Sequence, residues 1–208
     1  MSIQLYAYDT PNGRKISVAL EEMQLPYEVH VVDIGQGQQF DEAFLKISPN
    51  NKIPAIVDPD GPQGRPISVF ESGAILIYLA EKTGQFMPRE PAARIAALEW
   101  LMFQMGGFGP MPGQVHHFLS LKDENDRRYG LARYMTETRR LYGVMDRRLQ
   151  QHAFFAGELS VADFAILGWV WRHPRHQVDL NDFVHVRRWY DTLMARPGVA
   201  RGFAVKLS

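Results

Sequence analysis

Apolar residues in the first third of the chain switch repeatedly between alternating and helical spacing. Gln4–Tyr8 alternates and predicts a strand, Ile16, Leu20 and Met23 fall on one face of a helix, and Tyr27–Val32 alternates again. A short helical segment over Asp41–Lys46 follows, then paired strands at 54–57 and 67–70, and a helix over 72–83. The Gly- and Pro-dense stretch Asp58–Pro66 predicts the hairpin turn between those two strands. Past Thr83-Gly84, where glycine suits a helix end, and past Pro88 and Pro91, strand signals fade. Ile95, Leu98, Met102 and Met105 mark one helix, and Leu131, Tyr134, Thr138, Leu141, Met145 and Leu149 a second, long one. Val161, Phe164, Ala165, Gly168 and Trp171 mark a third, and Val186, Trp189, Tyr190 and Leu193 a fourth. The pattern predicts an α/β domain over residues 1–87 and an all-α domain over 88–208. Gly106-Gly107-Phe108-Gly109-Pro110 predicts a kink or break in the first of these helices. Ser160 and Asp163, three apart before an apolar run, predict a capping box with a structural role.

Charge and composition narrow the function. Lys+Arg and Asp+Glu are equal at 23 each, so no overall field draws the chain to nucleic acid or to an anionic membrane. The basic doublets Arg139-Arg140 and Arg147-Arg148 are interleaved with apolar helix positions and read as solvated faces. The amino terminus has no secretory pattern and no stretch is long enough to span a bilayer, so a cytoplasmic protein without a membrane partner is expected. The 208 residues include no cysteine, which excludes disulfides, cysteine nucleophiles and thiolate metal sites. The adjacent His116 and His117 do not share a helix face and have no acidic partner nearby, so no metal is expected.

Candidate chemistry concentrates between residues 48 and 79. Pro54, inside the apolar run Ile53-Pro54-Ala55-Ile56-Val57, cannot donate to a sheet ladder and belongs at a strand start. Next to it, the Ile53 amide is a candidate to pair with the main chain of a ligand. Glu71-Ser72-Gly73 falls between a strand pattern and a helix pattern, which puts Ser72 at a helix N-terminus where unpaired N–H groups attract a carboxylate. Glu71 can accept from an ammonium group, so the expected ligand is a small peptide with a free amino acid end. Thr10-Pro11-Asn12-Gly13 lies at the corresponding junction of the first strand and first helix, with Pro11 suited to a first helical turn.

Ser48-Pro-Asn-Asn-Lys-Ile-Pro-Ala-Ile56 and Phe70-Glu-Ser-Gly-Ala-Ile75 resemble the glutathione-binding half of a glutathione transferase. Ser160-Val-Ala-Asp-Phe164 and Trp189-Tyr190 followed by Arg196-Pro197 resemble its helical half. Similarity is tightest to the bacterial Nu-class members that act as disulfide-bond reductases. It runs through Thr10-Pro-Asn-Gly13, Gly35-x-Gly-x-Gln-Phe40, Gly107-x-Gly-Pro-Met111, Gln114, His116-His117 and Arg133-Tyr134-x-x-Glu137-Thr138-x-Arg140-Leu-Tyr142. The resemblance implies a thioredoxin-like N-terminal domain with a cis-Pro54, an all-helical C-terminal bundle, a homodimer, and glutathione as the bound cofactor. Its γ-glutamyl end would lie at Glu71 and Ser72 and its cysteinyl main chain at Ile53. Gln39 and Lys52 would hold its glycyl end or neighbouring carboxylates. Arg133 would meet a second glutathione, or the second half of glutathione disulfide.

A glutathione thiol ionises near pH 8.5, so the protein must stabilise the thiolate. Thr10 and Asn12, at a helix N-terminus facing the same crevice, are the candidates. Tyr6 and Tyr8 share a strand face and are read as packing groups. The implied activity is glutathione-dependent disulfide reduction. Conjugation of an electrophile, reduction of an organic hydroperoxide, or a non-catalytic module of the same fold are the alternatives.

Overall fold

The computed structural model describes residues 2–208. By packing, residues up to Gln85 join Met194–Ser208 in one unit, and Phe86–Leu193 form another.

In the first unit the alternation of Ile3–Ala7 becomes strand β1, with Ile3, Leu5 and Ala7 buried on one face. Helix α1 (Pro11–Glu22) crosses over to β2 (Tyr27–Val31), which pairs parallel with β1. The short helix α2 (Glu42–Leu45) follows. Strands β3 (Ala55–Asp58) and β4 (Ile67–Phe70) then add antiparallel, with Leu5 opposite Ile56 and Ile56 opposite Val69, before helix α3 (Ser72–Thr83). Sheet order is β2-β1-β3-β4, the thioredoxin-like arrangement that the resemblance implied. The Asp58–Pro66 stretch is the β3–β4 hairpin, and Tyr78 and Lys82 of α3 bind the Asp58 carboxylate at 2.6 and 2.9 Å, tying hairpin to helix.

Tyr6 packs with Phe44, Ile47 and Ile53 around Val32 and Ala55, and its ring stacks on His30 at 4.7 Å. This matches the packing role expected of it. Helix α1 is covered from Gly13 to Leu20 because α3 and a returning helix, α9 (Pro197–Ala204), both pack on it. Gly202 permits that approach: a Cβ there would lie 2.5 Å from the Val18 Cα. Polar clamps complete the seam. Ser17 donates to the Gly202 carbonyl at 2.8 Å, Arg14 to the Val205 carbonyl at 2.8 Å, and Arg196 pairs with the buried Glu22 carboxylate at 2.6 Å.

The second unit is helical: α4 (Pro91–Phe103), α5 (Pro110–Ser120), α6 (Glu124–Gln151), α7 (Val161–Val170) and α8 (Val184–Met194), whose last residue leads back to the first unit. The glycine-rich break is a wide helical turn over Gln104–Phe108, closed by the Gly109 N–H donating to the Gln104 carbonyl at 2.8 Å. Every residue of α7 is buried. The predicted capping box is present at its start, and the Asp163 carboxylate also accepts from Trp189 Nε1 at 2.9 Å and the Phe155 amide at 3.2 Å. Among the described residues no helix is long and apolar enough to cross a membrane.

Candidate functional site

One loop and two helix starts of the first unit build one cavity of about 200 Å³, lined by Asn12, Ser48, Asn50, Lys52, Ile53, Pro54, Glu71 and Ser72. The first wall is the loop before β3. Ser48, fully buried, donates its hydroxyl to the Lys52 carbonyl at 2.8 Å, and the Asn51 amide closes onto the Ser48 carbonyl at 2.9 Å. Asn51 takes the left-handed conformation (φ 48°) that asparagine tolerates better than most residues. These bonds fix the exit of Lys52, Ile53 and Pro54, whose Ile53–Pro54 peptide is cis.

The second wall is the start of α3. Glu71 sits at φ 68°, ψ 116°, a conformation that costs a non-glycine residue about 1–3 kcal/mol and is kept where the surroundings impose it. Asn50 Nδ2 donates to the Glu71 carboxylate at 3.1 Å, fixing it at the rim. Ser72 is buried behind it, at the helix N-terminus, where backbone donors and the positive dipole end face the cavity.

The third wall is the start of α1. Thr10 is its N-cap, accepting from the Gly13 amide at 3.1 Å, with Pro11 in the first turn. Gly13 is required here, since a Cβ would meet the Tyr8 carbonyl oxygen at 2.3 Å. The Thr10 hydroxyl accepts within the cap and can still donate its proton outward. Tyr8, the phenol nearest this turn, has its pKa raised by the negative charge of Asp33 and by burial, which works against a role as a proton donor to sulfur.

Of the residues singled out in the sequence, Asn12, Lys52, Ile53, Pro54, Glu71 and Ser72 line this cavity together. Thr10 stands at the adjoining helix cap. Gln39 lies in the turn Gln38–Phe40, outside the lining set, with its side-chain oxygen buried and without a hydrogen-bond partner. Arg133 belongs to the other unit, where it lines a separate cavity of about 460 Å³ with Met111, Tyr134, Thr136 and Glu137. No cluster of three or more potential metal ligands occurs among the described residues.

Sequence reasoning missed three contributors: Ser48 and Asn50, which shape the loop, and Lys15. The Lys15 side chain is 2% exposed, and its Nζ donates to the Ser72 hydroxyl at 3.1 Å. Burial lowers its pKa to about 7, against the pull of the nearby Glu71 carboxylate. No sequence signal marks Lys15, because Asn12, Arg14, Lys15, Ser17, Glu21 and Glu22 together read as the polar side of an amphipathic α1.

Comparison with known proteins bears on the same segments. Residues 10–82 match the glutathione S-transferase N-terminal domain and residues 110–197 its C-terminal domain. The chain is 48% identical over 203 residues to the disulfide-bond oxidoreductase YfcG of Escherichia coli, covering 96% of this chain and 93% of that protein. A glutathione transferase from Pseudomonas putida, solved with one glutathione disulfide per subunit, superposes with a TM-score of 0.92 at 44% identity over 99% of this chain and 92% of that one. A second, from Burkholderia graminis with two glutathione molecules per subunit, also gives 0.92, at 43% identity over 99% and 88%.

Proposed function

The chain belongs to the glutathione transferase family, and we propose that within it this protein is a glutathione-dependent disulfide-bond oxidoreductase. The observation that carries the reading is a cavity with both ends of an amino acid matched, at Glu71 and Ser72, in a chain of 208 residues without cysteine. With no thiol in the protein, the reactive sulfur is that of the bound peptide.

Glutathione enters with its γ-glutamyl carboxylate on Ser72 and the α3 N-terminus, and its ammonium on Glu71. The cysteinyl main chain pairs with Ile53, and Lys52 and Gln39 meet the glycyl end. The thiol then lies by Thr10 and Asn12, where the hydroxyl, the amide and the dipole of α1 stabilise the thiolate. That sulfur attacks one sulfur of a disulfide, the S–S bond breaks, and the other sulfur leaves as a thiolate that takes up a proton. A second glutathione thiolate attacks the glutathionyl sulfur of the mixed disulfide, giving glutathione disulfide and releasing the remaining substrate thiol. The two glutathione equivalents held by the related structures support a place for this second molecule, with Arg133 as its carboxylate partner. A cytoplasmic homodimer is part of the same reading.

The test measures glutathione-dependent turnover of a small-molecule disulfide beside an aromatic electrophile and an organic hydroperoxide. Disulfide exchange is expected to be the fastest of the three. A protein that binds glutathione but shows no exchange above the uncatalysed rate refutes the assignment.

A further inference from the structure

Lys15 carries a buried amine that the exchange chemistry above does not use. It lies one turn into α1, behind the cavity wall, and reaches the cavity lining through the Ser72 hydroxyl at 3.1 Å. A hydroxyl that accepts from an ammonium is polarised as a donor, and Ser72 is the cavity's serine at the α3 N-terminus. Glu71 of the same helix is the charge that acts on Lys15. The other charges on its own helix and on the elements packed against it are engaged elsewhere. Arg14 pairs with Asp9, Arg196 with Glu22 and Arg201 with Glu21, each within 2.7 Å. Lys82 is bound to Asp58 near the far end of α3, Glu81 precedes it there, and Lys206 beyond α9 is exposed.

Glu71 alone is a poor counter-ion for ligand binding, because an incoming ammonium engages it. An incoming carboxylate, in contrast, places a second negative charge one hydroxyl away from Lys15. We propose that Lys15 is a positioning residue for the γ-glutamyl carboxylate, acting through Ser72 as the buried counter-charge, so that ligand binding is coupled to protonation of this lysine. The inference rests on the reading of this cavity as the glutathione site.

In the empty site, with a pKa of about 7, the amine is mostly neutral at pH 8. A bound carboxylate favours the ammonium and raises that value. The sign follows: the bound state holds more protons than the free state above pH 7. Binding therefore takes up a proton and weakens as pH rises, by up to about tenfold per pH unit.

Isothermal titration with S-methylglutathione, which has no titratable thiol, in two buffers of different ionisation enthalpy reads the proton count on the wild-type protein. More than about half a proton taken up per ligand at pH 8 is expected. Lys15→Met should remove the lysine's share of the uptake, leaving only that of the ligand's amine, and weaken binding at pH 6.5 by about tenfold or more, the scale of a lost charge-assisted contact. Lys15→Arg should restore binding with the same reduced uptake, since guanidinium stays charged throughout. Wild-type binding with no proton uptake and a flat affinity between pH 7 and 9 overturns the role of Lys15 and leaves the glutathione site standing. Absence of any binding to the wild type overturns both. Where Lys15→Met does not fold, Lys15→Arg decides the matter: it keeps the proton uptake of the ligand's own amine, so an uptake equal to that of the wild type overturns the role of Lys15.

Discussion

Replacing Asp163 isolates the cost of orphaning a set of buried donors. Its carboxylate accepts from Trp189 Nε1 at 2.9 Å, the Phe155 amide at 3.2 Å, the Ser160 amide at 2.9 Å and the Ser160 hydroxyl at 3.1 Å. Asp163, Phe155, Ser160 and Trp189 are all buried, so none of these donors can turn to water. Asp163→Ala strands three N–H groups, and each stranded donor costs about 1–3 kcal/mol. The carboxylate's own desolvation, which pushes its pKa up to about 6, is relieved at the same time and offsets part of the loss. We expect a net destabilisation of about 3–5 kcal/mol, a large share of the roughly 5–15 kcal/mol typical of folded domains. Asp163→Asn keeps one acceptor oxygen for Trp189 and Phe155 but turns an NH2 toward the Ser160 amide, so it should cost about 1–3 kcal/mol. Urea unfolding at pH 7.5 and fixed protomer concentration, followed by the fluorescence of the buried Trp189 and its fellow tryptophans, measures both. An Asp163→Ala cost below about 1 kcal/mol, or one equal to that of Asp163→Asn, would refute the account.

Thr10→Val removes the α1 cap and, in the proposed site, a donor to sulfur. It should cost about 1 kcal/mol in stability and lower disulfide turnover roughly tenfold to a hundredfold, with Thr10→Ser retaining both functions; turnover and the ultraviolet absorbance of the bound thiolate check this. Glu71→Gly should relieve the left-handed strain and stabilise the fold by about 1 kcal/mol while raising the Kd for glutathione, as thermal unfolding and calorimetry would show. His116 and His176 are held neutral mainly by burial, which lowers their pKa values to about 4 and about 3. Below about pH 6.5 the unfolded chain binds protons that the native rings do not, so stability falls with acidification, by about 2 kcal/mol per ring at pH 5. His176→Gln, which can still bond the Tyr142 hydroxyl, should remove its share of that acid sensitivity in denaturant titrations across pH 5–7.

Patterns of period two and 3.6 made the elements legible, because β1 and amphipathic helices such as α6 and α8 bury one face and leave the other to solvent. The β4–α3 junction was legible for a chemical reason: a serine between a strand pattern and a helix pattern predicts a helix start, and helix starts attract carboxylates. Lys15 was not legible. A charged residue on a helix reads as solvated unless both sides of the helix are known to be covered, and the second cover, α9, comes from some 185 residues downstream, as in the Ser17–Gly202 bond. The left-handed Glu71 was equally hidden, since φ at that position is imposed by the β4–α3 turn. His176 reads as an ordinary surface histidine in sequence, and only the packing of Tyr142 and Phe108 around it shows otherwise.

The seam between α1 and α9 bears on the order in which a nascent chain acquires its parts. The segment Met194–Ser208 is translated only after the whole of Phe86–Leu193. Until it arrives, Arg14 and Ser17 lack their carbonyl partners at Val205 and Gly202, and Glu22 lacks Arg196. The helix that carries Asn12 at one end of the cavity and Lys15 behind it is thus synthesised among the earliest elements and secured among the last. Ligand-binding competence should accordingly appear late in biosynthesis, after the helical unit has been made.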